Sequence, residues 1–313
     1  KAREREPEPE QARRYVFDDT PIMYWADHGL DIDATVRVDE LLLGFGQYTD
    51  LDTRFVLNRQ EIAFNPFTIQ GFNEGRIDGR LELDSSGAIP QLVLEVTGND
   101  TRLTLAAAEG QAPETLPLGD YRLQLRGRGR TNREMAASLD GLVRVSFGSG
   151  KLAPMGATIL TSDFVTELLR TLNPWSKTEQ FTELECAVIA ADIESGQMKI
   201  DPAILHLKRV TVLASGGIDL ASERIDLRFD SRQREGLGVS ATDLVNPFIK
   251  VGGTLAKPSL ELDPARSVVG GGLAVATAGL SILAKSLAER FLSTKDPCGK
   301  ALEAIRERDA QTD

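Results

Sequence analysis

The stretch SGGIDLASERIDLRFDSR, residues 215–232, decides how this chain folds. Ile218 and Leu220 alternate with polar neighbours. Four residues intervene, Ala221 to Arg224, and then Ile225, Leu227 and Phe229 alternate with Asp226, Arg228 and Asp230. Successive strand side chains point to opposite faces, so the pattern predicts two strands joined by a tight turn. One face of that hairpin is apolar and the other charged. A one-sided sheet must cover its apolar face with something. The question is whether that cover is a packed core or a bound molecule.

The same pattern extends in both directions. DIDATVRVDELLL (31–43) alternates Ile32, Ala34, Val36 and Val38. GRIDGRLELD (75–84) and PQLVLEVTG (90–98) pair across SSGAI, a glycine-bearing hairpin signal. GDYRLQLRGRG (119–129) alternates Tyr121, Leu123 and Leu125, and GLVRVSFGSGKL (141–152) carries Leu142, Val143, Val145 and Phe147. GQMKID, AILHLKRVTVLASG, FIKVGGTL and PSLELD continue the series to residue 263. Short alternating runs with almost no long helix between them indicate antiparallel β structure. LELD recurs at 81–84 and 260–263, a faint sign of an internal repeat.

Three helical segments interrupt the pattern. TNREMAASLDG (131–141) has Thr131 three residues before Glu134, a capping box, and Gly141 as a stop. SDFVTELLRTLNP (162–174) sets Phe164, Leu168 and Leu172 on one stripe and ends before Pro174. The tail holds an uncharged run from Val268 to Ala284, then PCGKALEAIRER (297–308), a short charged helix with Cys298. The uncharged run is rich in Gly and Ala, and a helix packed on protein is its first reading, ahead of an interfacial or spanning one. The chain therefore divides into a charged linker (1–14), a β region (15–264) and a helical tail (265–313). The linker has no apolar stretch of a secretory leader.

Composition narrows the function. Lys plus Arg is 36 and Asp plus Glu is 47, a net charge of 36 − 47 = −11. That balance disfavours nucleic acid, whose phosphates need clustered cations. Aromatics are 6% of the chain, too few for base-stacking platforms. The two cysteines, Cys186 and Cys298, sit in no CxxC or Cys/His cluster, so no zinc site is expected. They read equally as two buried thiols or as one disulfide closing a long loop.

Catalytic motifs fail on inspection. GSGK (148–151) has Val145 where a phosphate loop needs Gly and Leu152 where it needs Ser or Thr. GRGR (127–130) reads as a solvated turn. His206 faces opposite to Leu205 and Leu207 and is expected to be exposed. Trp25 and Trp175 read as packing anchors. No G-x-S-x-G elbow supports a serine nucleophile. The acids mostly alternate with apolar residues, as on a solvated sheet face, so a carboxylate hydrolase is a distant third reading.

ECAVIAADIESGQMK (185–199), SGGIDL (215–220) and VGGTLAKPSLELD (251–263), in this order, resemble the C-terminal region of AsmA-family proteins. The resemblance extends over about residues 98–263, and more loosely from 15. It implies an elongated, curved antiparallel sheet forming an apolar β-groove, with short helices and a helical tail. It implies a bacterial envelope protein in the periplasm, anchored by an N-terminal inner-membrane helix that this chain does not show. It implies phospholipid acyl chains as the cargo, moving between inner and outer membrane, with no cofactor, no catalysis and no metal. It also favours a Cys186–Cys298 bridge. The groove candidates are Ile218, Leu220, Ile225, Leu227 and Phe229. The rival reading is an assembly factor for outer-membrane proteins that works through exposed sheet edges.

Overall fold

The computed structural model describes residues 15–22, 29–43, 46–71, 75–104, 107, 111–153, 168, 172, 181–234, 249–262, 291 and 294–312. Fourteen strands form a single open, curved, antiparallel sheet. They are β1 (Ile32–Leu43), β2 (Gly46–Leu57), β3 (Glu61–Gly71), β4 (Arg76–Asp84), β5 (Gln91–Arg102), β6 (Leu118–Arg128) and β7 (Asp140–Phe147). They continue with β8 (Gly150–Leu152), β9 (Thr182–Glu194), β10 (Gln197–Leu207), β11 (Val210–Asp219), β12 (Arg224–Gln233), β13 (Ile249–Thr254) and β14 (Lys257–Leu262). Neighbours in sequence are neighbours in the sheet, except that β7 and β8 pair end to end with the long β9. The decisive stretch forms β11 and β12, with Ile218 opposite Ile225 and Gly216 opposite Leu227.

Two short helices flank the sheet. Helix α1 (Asn132–Ala137) begins where the capping box predicts, with the Glu134 N–H donating to Thr131 Oγ1 at 3.2 Å. The Glu134 carboxylate reaches back to the Arg130 N–H at 2.7 Å. The helix stops well before Gly141. The Ser138 hydroxyl accepts the Arg128 N–H at 2.7 Å and donates to the Arg128 carbonyl at 2.6 Å, and this pulls the chain into β7. Helix α2 (Pro297–Thr312) is the charged tail helix. The Phe164 end of the 162–174 segment, the 268–284 run, Trp25 and Trp175 lie outside the described residues. Among the described residues, no helix is long and apolar enough to cross a membrane.

Residues 15–22 form a strap that the sequence does not announce. Glu223 occupies the β11–β12 turn at φ 58° and is fully buried. Its carboxylate accepts the Val16 and Phe17 N–H groups at 2.8 and 2.6 Å. Farther along the strap, Ile22 donates to the Arg130 carbonyl, and Arg133 stacks over the Tyr15 ring. One buried carboxylate thus ties the first described segment to a turn more than 200 residues away.

Candidate functional site: an apolar face crossing the whole sheet

The pairing registers fix which side chains share a face. Val36, Thr53, Phe67, Gly79, Val96, Leu123, Val143, Ala191, Ile200, Gly216, Leu227, Val251 and Leu260 stand opposite one another in succession. That row visits every strand but β8, and Thr53 is its one polar side chain. The Thr53 hydroxyl turns to its own sheet and donates to the Pro66 carbonyl at 2.9 Å. At about 4.8 Å between strands, the row runs for roughly 58 Å.

Parallel rows flank it on the same face. One joins Ala34, Phe55, Phe64, Leu81, Leu94, Leu125, Gly141, Ile193, Met198, Ile218 and Ile225. The other joins Ile69, Ile77, Gly98, Tyr121, Val145, Ile189, Ala203, Ala214, Phe229, Ile249 and Leu262. The β3 register shift between Phe64 and Phe67 brings both rings to this face, although they are three residues apart. Two glycines let aromatic rings lie flat on the sheet. A Cβ at Gly79 would strike the Phe67 ring at 2.6 Å, and one at Gly98 would strike the Tyr121 ring at 2.4 Å. Burial among these apolar neighbours pushes the Tyr121 hydroxyl up to about 12, so it stays neutral.

Among the described residues, the apolar face is covered in some places and open in others. Ala136, Leu139 and Phe17 pack over Leu125, Ile193, Met198 and Ile218 at the α1 end. Leu168 and Leu172 pack at the opposite end of β9–β13, with Leu184, Leu207, Val210 and Ile249. Across β2–β7 the apolar side chains of all three rows stay half-buried, and between the covers Ile200 and Leu227 do so too, while Ala191 and Val251 are buried. Ile189, in mid-sheet, is 39% exposed. No described protein layer lies on this part of the face.

The opposite face is charged. Arg37–Asp52, Arg54–Asp33 and Arg80–Glu95 pair across strands at 2.8–2.9 Å. Helix α2 lies on this polar face, over a local apolar patch. Cys298, Ala301 and Ile305 pack with Phe291 on Val188, Ala190, Ile204 and Leu213. Cys298 is bonded to Cys186, with Cα atoms 6.4 Å apart. Arg144 anchors the far end of α2 by donating to Asp192 at 2.6 Å and Asp309 at 2.7 Å.

His206 corrects the sequence reading. It lies on the polar side as alternation predicts, yet it is 6% exposed rather than solvated. The ring stands opposite the bridged Cys186, its Nδ1 is 2.6 Å from Thr211 Oγ1, and its Nε2 is 3.2 Å from Glu185. Burial and then Arg234 lower its pKa against the opposing pull of Glu185. For a base held neutral, the unfolded chain binds more protons below the ordinary value of 6.5, so stability falls as pH drops through that range. The Asp309 carboxyl is held below its ordinary 3.8, first by the Arg144 hydrogen bond. Its contribution is complete above 3.8 and disappears as pH falls through the depressed value. Acid should therefore loosen this region in two steps, measured by amide exchange in α2 and β10. His206→Asn should remove the step that begins below pH 6.5 and leave the lower one.

The five groove candidates fall into two groups. Ile218, Ile225, Leu227 and Phe229 share the apolar face, but Ile225 is 8% exposed and Ile218 lies in the cluster under α1. Leu220 belongs to the turn and is 6% exposed, as part of that same cluster. Leu227 sits in the middle row, half-buried, and Phe229 is half-buried at the edge of the second cover. The uncovered stretch around Leu94, Val96, Leu123 and Val143 reads in sequence only as alternating strands, and Phe67 beside it gives no such signal. The described carboxylates with displaced pKa values, including Asp78, Glu95, Glu183 and Asp219, are all held low by hydrogen-bonding partners. A general acid needs the opposite displacement. Among the described residues, no group of His, Cys, Asp and Glu could hold a metal ion.

Comparison with protein-family models, with curated proteins and with solved structures finds no match for this chain.

Proposed function

We propose that this protein is a non-enzymatic carrier of phospholipid acyl chains, acting in the periplasm and conducting lipid between inner and outer membrane. The carrying observation is the continuous row from Val36 to Leu260, apolar but for Thr53 and, among the described residues, half-uncovered across β2–β7. Each buried CH₂ contributes about 0.8 kcal/mol, so a 16-carbon chain gains roughly 10 kcal/mol at full burial, less its ordering cost. Aliphatic walls offer no donors or acceptors to a head group, so the face recognises chain and not head. A row perpendicular to the strands presents similar side chains at each step, and a bound chain can slide along it. The resemblance of residues 185–199, 215–220 and 251–263 to AsmA-family segments supports the envelope setting. The Cys186–Cys298 bridge fits an oxidising compartment.

Photo-crosslinking tests the reading in cells. Benzoylphenylalanine at Leu123 or Leu227 should capture phospholipid, and at Arg122, on the other face, it should not. Equal labelling at Leu123 and Arg122 would contradict a dedicated apolar path.

A further inference from the structure

Among the described residues the sheet has two unpaired edges, and they differ. β14 is short and carries Pro258, Lys257 and Glu261, devices that discourage strand addition. β1 runs twelve residues without proline and keeps one register with β2, skipping only the Asp39–Asp50 position. Leu43 and Gly46 close that hairpin as directly opposed residues, so the odd-numbered residues of β1 exchange backbone hydrogen bonds with β2. The even-numbered ones, Ile32, Ala34, Val36 and Val38, turn their N–H and C=O groups outward.

We propose that this edge pairs with β1 of a second copy, antiparallel and centred on Thr35. In that register Ile32 faces Val38 of the second copy and Ala34 faces Val36, so the outward backbone groups meet their complements. The same pairs join the apolar faces of the two sheets. On the polar side, Asp33 faces Arg37 twice across the two-fold axis. Each is already part of a cross-strand pair, Arg37 with Asp52 and Asp33 with Arg54, so the junction builds a row alternating in sign through both copies. Registers shifted toward the C-terminus do worse. A shift of one residue pair toward the C-terminus sets Asp33 against Asp39, and the next sets Arg37 against itself. Asp31 would meet Asp39 just beyond the proposed segment, which confines pairing to Ile32–Val38. The product is one sheet with an apolar row of about twice the length. This pairing does not depend on what the apolar face carries.

Thr35→Cys tests the register directly. Cys186 and Cys298 are bonded to each other, so the introduced thiol has no other free thiol in the chain to compete with it. Thr35 and its symmetry mate form a close non-hydrogen-bonded pair. Mild oxidation should convert most of the full chain to a covalent dimer, whereas Ser259→Cys on β14 should remain monomeric. Light scattering of the unmodified chain should show a concentration-dependent dimer. Val36→Pro removes an outward N–H without touching the β1–β2 bonds and should abolish the dimer while the protein stays folded. Arg37→Asp, which puts like charges opposite each other twice, should weaken it about tenfold. A chain that stays monomeric at all concentrations overturns the proposal, as does a dimer indifferent to Val36→Pro. Thr35→Cys crosslinked to an outer-membrane protein precursor, and not to itself, would overturn it in favour of a heterologous strand.

Discussion

Leu123→Asp should strip the protein of bound acyl chains while leaving it folded. Leu123 lies on β6 in the middle row, between Val96 and Val143, and is half-buried. A carboxylate there must be desolvated beneath any hydrocarbon that crosses it, at a cost of several kcal/mol. Loading should fall at least a hundredfold on that basis. The penalty to the fold itself is small, because the site faces the open part of the apolar surface: about 1–2 kcal/mol from lost apolar burial. Arg122→Asp, one residue away on the other face, should change neither. The measurement is lipid extracted per mole of purified protein, beside a denaturation curve. Leu227→Asp, four strands beyond β7 along the same row, should repeat the loss. If both variants carried normal lipid, the row would be an ordinary sheet surface.

Cys186→Ser has the second large effect, on stability rather than loading. The bridge spans 112 residues, and in the chain-entropy model such a loop is worth about 4–5 kcal/mol. Without it, α2 is held by Cys298, Ala301 and Ile305 on the β9–β11 patch and by the Arg144 ion pairs. A sixteen-residue helix with so narrow an apolar stripe docks weakly on its own. The denaturation midpoint should drop, and trypsin should cut at Arg306 and Arg308 well before it opens the strands. Because α2 lies on the polar face, crosslinking at Leu123 should be unchanged in this variant. An unchanged midpoint would mean that the bridge only decorates a helix already fixed by packing.

The hairpin at 215–232 was legible because its alternation is strict and its turn short. The antiparallel class followed from the same pattern, repeated without intervening helices. What sequence could not show is which parts of the apolar face are covered. Phe17, Ala136 and Leu172 do the covering, and each arrives from a segment distant in sequence. That is why Leu220 and Ile225, which alternate as well as Leu227, are core residues. Phe64 and Phe67 carry no strand signal because a bulge breaks their period. Alternation assigns His206 a face but does not show that a helix, a disulfide and Glu185 gather over it. Glu223 gave no signal at all. A glutamate in a turn reads as solvated until its two N–H partners are found at the other end of the chain. The cysteine pairing was open on spacing alone and came only with the family resemblance.

The most direct test of the central claim is native mass spectrometry, with lipid extraction, of the protein purified from the periplasm. The account predicts phospholipid-bearing species, mixed in head group, that vanish in Leu123→Asp. A lipid-free protein whose apolar face resists hydrophobic probes would contradict it, and would make that face a structural core.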